Sequence, residues 1–123
     1  NPPLEIIDVS ENAKSLALIV DDPDASSGLW THWTVWNLRP QSQVIAEDSV
    51  PADAVLGTTD SGSVGYHGPC PPSGIHHYHF RLYALDAKLD LPSGAPVEDL
   101  KKEIAAHSIG SAELVGIYSS DNL

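Results

Sequence analysis

The stretch Gly68–Phe80 reads GPCPPSGIHHYHF. Its first seven residues are proline, glycine, serine and cysteine, which make a stiff, kinked loop. That loop runs straight into three of the chain's six histidines. Carried on to Asp86, the segment IHHYHFRLYALD has the aromatic and apolar content of a β-strand. A period of two sets His76, Tyr78, Phe80 and Leu82 on one side and His77, His79 and Arg81 on the other. The first set ends in apolar residues. It is predicted to face inward, with His76 and Tyr78 at the mouth of the core. The second set is predicted to meet water.

The same period sorts two earlier segments. In KSLALIVDDPD (Lys14–Asp24), Leu16, Leu18 and Val20 share one face, and Ala17 and Ile19 the other. Apolar on both faces, this reads as a buried strand, which the turn residues of DDPDASSG are predicted to break. Asp22 continues the face of Leu16, Leu18 and Val20 where the strand ends. WTHWTVWNL (Trp30–Leu38) is a second strand, stopping before Pro40, with Trp30 and His32 of one parity at its start. Three strands thus deliver polar groups at one end. If those ends meet, Asp22, Trp30, His32, His76 and Tyr78 surround a small mouth rimmed by GPCPPSG.

Elsewhere the pattern is thinner. No period holds from Gln41 to Gly65, and Ala52–Gly65 is predicted to be mobile or ligand-responsive. A helix is predicted with Pro96 at its first position, Glu98 and Asp99 in its first turn, and Val97, Leu100 and Ile104 on one stripe. Gly110 is expected to follow its end, and AELVGIY to form a last strand. The predicted core contains Leu16, Val20, Val35, Phe80, Leu82, Val115 and Ile117. Short strands with one late helix give a mainly β chain: an antiparallel, Greek-key-like β-sandwich with a helix in its C-terminal region.

The 123 residues suffice for one domain, read as spanning 1–123. A single cysteine excludes an internal disulfide framework. The formal net charge of −11 disfavours nucleic acid and anionic membrane surfaces as partners. No apolar run is long enough for a transmembrane segment, and no signal peptide is visible. The chain is therefore read as cytoplasmic, with export left open. An anion held by so acidic a protein needs local donors. Imidazole, the tyrosine hydroxyl and backbone N–H groups of a glycine loop supply them. Asp22 could accept from a histidine and fix its tautomer.

These residues resemble the phosphatidylethanolamine-binding protein family, which includes the Raf kinase inhibitor proteins. The matching motifs are DPDAS, WTHW and GPCPPSGIHHYHFRLYALD, with NPPLEI near the start. The YALD ending is similar to the prokaryotic branch. The resemblance covers nearly the whole chain. It implies a β-sandwich with a small pocket for phosphate-like head groups, acting by binding or inhibition rather than as an enzyme. Its implied ligand-binding residues are Asp22, Asp24, Trp30, His32, Gly68, Pro71, Pro72, His76 and Tyr78. No cofactor is implied. The implied partners are a small anionic ligand and a kinase or serine protease target; a homodimer is left open as a further possibility. Family members begin earlier than Asn1, so the family's first strand or hairpin is expected to be missing from this chain. Ser26, Pro69, Cys70 and His77 depart from the family's usual residues.

Two other classes stand beside this one. Six histidines among many acids could bind a metal, although no H-x-x-x-H or C-x-x-C spacing occurs. An Asp–His pair could assist a weak hydrolase, although there is no G-x-S-x-G elbow.

Overall fold

The structure, a computed structural model, describes residues 4–6, 9, 11–25, 28–45, 51, 53–59 and 75–119. For residues 4, 5, 22–25, 28–30, 44, 75–78 and 113–119 it describes the backbone alone.

Three strands of eleven residues carry the main sheet: β2 (Ser15–Ala25), β3 (Gly28–Leu38) and β6 (Ile75–Leu85). With β5 (Val55–Leu56) and β7 (Ser108–Ser119) they form a five-stranded sheet in the order β5-β3-β2-β6-β7, antiparallel throughout. A second sheet pairs β1 (Leu4–Ile6) with β4 (Gln43–Ile45). The helix α1 spans Val97–His107.

The alternation along β2 decides the layering. Leu16, Leu18 and Val20 pack with Trp33, Val35, Leu38 and Phe80, and with Ile6 and Ile45 of the small sheet. Ala17 and Ile19 pack on the opposite face with Trp36, Leu85, Leu89 and the α1 stripe of Val97, Leu100 and Ile104. The main sheet is thus covered on one face by a two-stranded sheet and on the other by a helix. This is why β2 is apolar in both parities. Of the predicted core, Leu16, Val20, Val35 and Phe80 are buried, and Leu82 packs half-buried against them. The side chains of Val115 and Ile117 lie outside the described residues.

Two sequence-based boundaries shift. Pro96 is the residue before the helix, in extended conformation (φ −70°, ψ 156°), and its carbonyl accepts from Asp99 N at 3.1 Å. Gly110 lies inside β7, which begins directly at the helix end. There His107 Nδ1 stands 2.7 Å from Asp86 Oδ1, and Asp86 N donates to the His107 carbonyl at 3.0 Å. These contacts fasten α1 to the end of β6.

The stretch without period is not wholly a loop. β4 and β5 are too short, at three and two residues, to show an alternation. Residues 55–58 are anchored between β3 and the connector to α1. Gly57 N donates to Thr34 O at 3.0 Å, Thr58 N to Ala95 O at 3.1 Å, and Thr58 Oγ1 to Gly94 O at 2.6 Å. Within the stretch Ala52–Gly65, expected to be mobile or ligand-responsive, residues 57 and 58 are thus hydrogen-bonded to their neighbours; residues 52 and 60–65 lie outside the described residues. Gly57 is there because nothing larger fits. A Cβ would fall on Thr34 Oγ1 and lie 2.8 Å from Trp36 Cζ3 and 2.9 Å from Ala95 O. Gly57→Ala is expected to cost about 1–3 kcal/mol in chemical denaturation, the usual range for overpacking. A neutral substitution would show that this contact is slack.

Candidate functional site

The pairing of β2 with β6 runs without interruption from Ser15↔Leu85 to Asp21↔His79. There it ends, although both strands continue. β2 goes on through Asp22, Pro23, Asp24 and Ala25, paired with β3 at Asp22↔Trp30 and Ala25↔Gly28. β6 begins four residues before His79, and Ile75–Tyr78 pair with β7 from Ser119 to Gly116. Among the described pairings none joins these two extensions. The main sheet therefore forks at Asp21↔His79, with a β2–β3 arm and a β6–β7 arm.

Irregularities in the ladders explain how the sequence does this. The turn expected at DDPDASSG is corrected: the strand carries through to Ala25. A proline is tolerated at position 23 because β2 has lost its β6 neighbour there and the β2–β3 register slips by one between Asp22 and Ala25. A second slip, with one extra residue on β3, falls at His32, between Val20↔Trp33 and Asp21↔Thr31. His32 is buried at this bulge, with Thr31 buried beside it. The bulge means that Trp30 and His32 do not share a face by simple alternation. Trp30 instead stands in register with Asp22. On β6 the register to β7 is unbroken from Ile75 to Ala84.

The predicted site residues are thus distributed as follows. Asp22, Asp24 and Trp30 lie on the backbone of one arm and His76 and Tyr78 on the other; their side chains lie outside the described residues. His32 sits at the bulge behind the first arm. Gly68, Pro71 and Pro72 lie outside the described residues.

The expectation that His79 and Arg81 simply meet water is corrected. Both are half-buried, and Arg81 Nη2 lies 3.5 Å from Oδ1 of Asp21, whose side chain is 1% exposed. Sequence reasoning passed over Asp21. The signal was present: Asp21 continues the parity of Ala17 and Ile19, a face already read as buried, and a buried carboxylate needs a cation. Among the described residues no group of three or more histidine, cysteine, aspartate or glutamate side chains is arranged to hold a metal ion. Nor is any helix there long and apolar enough to cross a membrane.

An antiparallel main sheet, capped by a small sheet and a single described helix and forked at one end, defines the class of fold. The chain belongs to the phosphatidylethanolamine-binding protein family, whose sequence profile matches residues 1–119. It is 50% identical over 123 residues to a UPF0098 protein of Methanothermobacter thermautotrophicus, covering 96% of this chain and 82% of the relative. A UPF0098 protein of Pyrococcus abyssi is 48% identical over 126 residues, covering 96% and 71%. Among solved structures, a phosphatidylethanolamine-binding protein homolog from Chlamydia trachomatis superimposes with a TM-score of 0.91 at 44% identity, covering 97% of this chain and 80% of that one. Escherichia coli YbcL, described as a member of the mammalian family, gives a TM-score of 0.80 at 34% identity, covering 90% and 74%.

Proposed function

We propose that this chain is a binding protein, without turnover, whose fork holds a small oxyanion such as the phosphate of an ester head group. The observation that supports this most is the end of the β2–β6 ladder at Asp21↔His79. On this reading the D-P-D segment and Trp30 lie on one arm and the H-x-Y segment on the other, and the oxyanion is held between them. In sequence, Gly68–Gly74 directly precede that second arm. Tyrosine and histidine donate to oxyanions, and the acids can accept from the histidines and fix their tautomers. The family's description names a phosphate-bearing head group, which fits this donor set. Asp22, Asp24, Trp30, His32, Gly68, Pro71, Pro72, His76 and Tyr78 are the proposed ligand-binding residues. A kinase or protease target would be met through the rim of the same site.

Sulfate is the cleanest probe, because it stays a dianion while phosphate monoesters lose charge below about pH 6. Its affinity is expected to rise about five- to a hundredfold from about pH 8 to about pH 5.5, as a pocket imidazole of ordinary pKa near 6.5 gains its proton. Calorimetric titration at fixed ionic strength measures this, with His76→Ala as control. A flat wild-type profile, or an unchanged profile in His76→Ala, removes His76 from the site.

A further inference from the structure

Asp21 and Arg81 occupy the vertex of the fork. Asp21 is the last β2 residue paired with β6, and Arg81 stands opposite Ile19, two pairs behind it. The Arg81 guanidinium reaches diagonally forward to the Asp21 carboxylate, 3.5 Å away. The contact crosses from the β6–β7 side to the β2–β3 side at the point where the arms part. His79, in register with Asp21, is half-buried beside it.

The sequence here is unusual in its charge. Asp21, Asp22 and Asp24 fall within four residues of one strand, in a chain of net charge −11. By strand alternation Asp21 and Arg81 share the helix-side face with Ala17 and Ile19, opposite the face of Phe80 on which the proposed donors depend, so a bare carboxylate at Asp21 would act on a bound anion through the sheet, by its field and not by contact. Burial makes that field stronger, since water screens it less. Arg81 answers the charge: its side chain is 34% exposed while that of Asp21 is 1% exposed.

We propose that Asp21 and Arg81 are the charge-balancing pair of the anion site, Arg81 cancelling the buried Asp21 carboxylate where the fork opens. Neither residue touches the anion; both are positioning residues that set the potential the anion meets. The inference rests on the reading of the fork as an anion site. It goes further in giving opposite signs to the two members of one ion pair.

A pair serving only to tie the arms together loses the same tie whichever partner is removed. A charge-balancing pair does not behave that way. With sulfate as probe at fixed pH and ionic strength, Asp21→Asn is expected to tighten binding about threefold or more, even though its melting temperature falls. Arg81→Met is expected to weaken binding about tenfold, and the double variant to return to within about twofold of wild type. Arg81→Lys, which keeps the charge, is expected to keep the affinity, and it replaces Arg81→Met if that variant does not fold. Unchanged or weakened binding in Asp21→Asn overturns the proposal. If the wild-type protein binds no sulfate, the anion-site reading fails, and the His76 titration midpoint followed by NMR decides the pair by itself. The midpoint is expected to fall in Asp21→Asn and rise in Arg81→Met. A midpoint that moves in neither overturns the pairing.

Discussion

Alanine at Trp36 is expected to cost about 3–5 kcal/mol, a large share of the stability a domain of this size commands. The indole is wholly buried between the main sheet and the layer formed by α1 and its connector. Its Nε1 donates to the Leu91 carbonyl at 3.2 Å, and its ring edge limits position 57 to glycine. The next residue continues the attachment. Asn37 has positive φ (58°) at a bulge in β3, and its side-chain amide exchanges two bonds of 2.8 Å with the backbone of Leu89. Removing the indole opens a cavity and detaches the connector at the same time. Trp36→Phe separates the two effects. It keeps most of the apolar area and loses mainly the hydrogen bond, for about 1 kcal/mol of its cost. Urea denaturation of both variants measures the difference. A loss below about 1 kcal/mol for Trp36→Ala would show that the helix layer is not secured through this side chain.

The sequence was most legible where alternation ran unbroken, and least where a single inserted residue interrupted it. On β2 a period of two sorted five apolar side chains correctly between two cores, because Leu16–Val20 pairs regularly with β6. On β3 the same rule fails at His32, where one extra residue interrupts the register with β2. No residue type in WTHWTVWNL announces that bulge, since β-branched and aromatic residues suit both regular and irregular strand. Pro23 misled in another way. Proline forbids an inner strand, but β2 stops being an inner strand at Asp21, and only the pairing partner reveals that. Short strands such as β1, β4 and β5 are set by tertiary contacts and carry no period of their own. That the end of β2 and the beginnings of β3 and β6, which carry D-P-D, W-x-H and H-x-Y, lie at the same end of the sheet follows from the antiparallel strand directions. The Asp21–Arg81 pair was readable in principle, as an acid on an apolar face, but its partner was not, because many long cations snorkel to water from such positions.

Phe80→Ala is expected to destabilise the protein by about 3–5 kcal/mol, and the outcome bears on the site as well as the core. Phe80 is buried among Leu18, Val20 and Trp33, opposite Val20 on one side and Leu114 on the other. No extra residue interrupts the β6–β7 register between Phe80 and His76. Parity can therefore be carried along β6 in a way that it cannot along β3. Tyr78 is two residues and His76 four residues from Phe80, so the face of Phe80 is the one on which the proposed donors depend. Phe80→Leu provides the comparison. It conserves most of the apolar volume and is expected to cost less than about 1.5 kcal/mol if the cavity rather than backbone strain sets the loss. Both are measured by urea denaturation, with sulfate titration of the folded Phe80→Leu protein at about pH 5.5 as a second reading. A loss under about 1 kcal/mol in Phe80→Ala would mean that the ring is not inside. The inward parity expected for His76 and Tyr78 would fall with it, and with it the proposal that the second arm supplies donors to an anion.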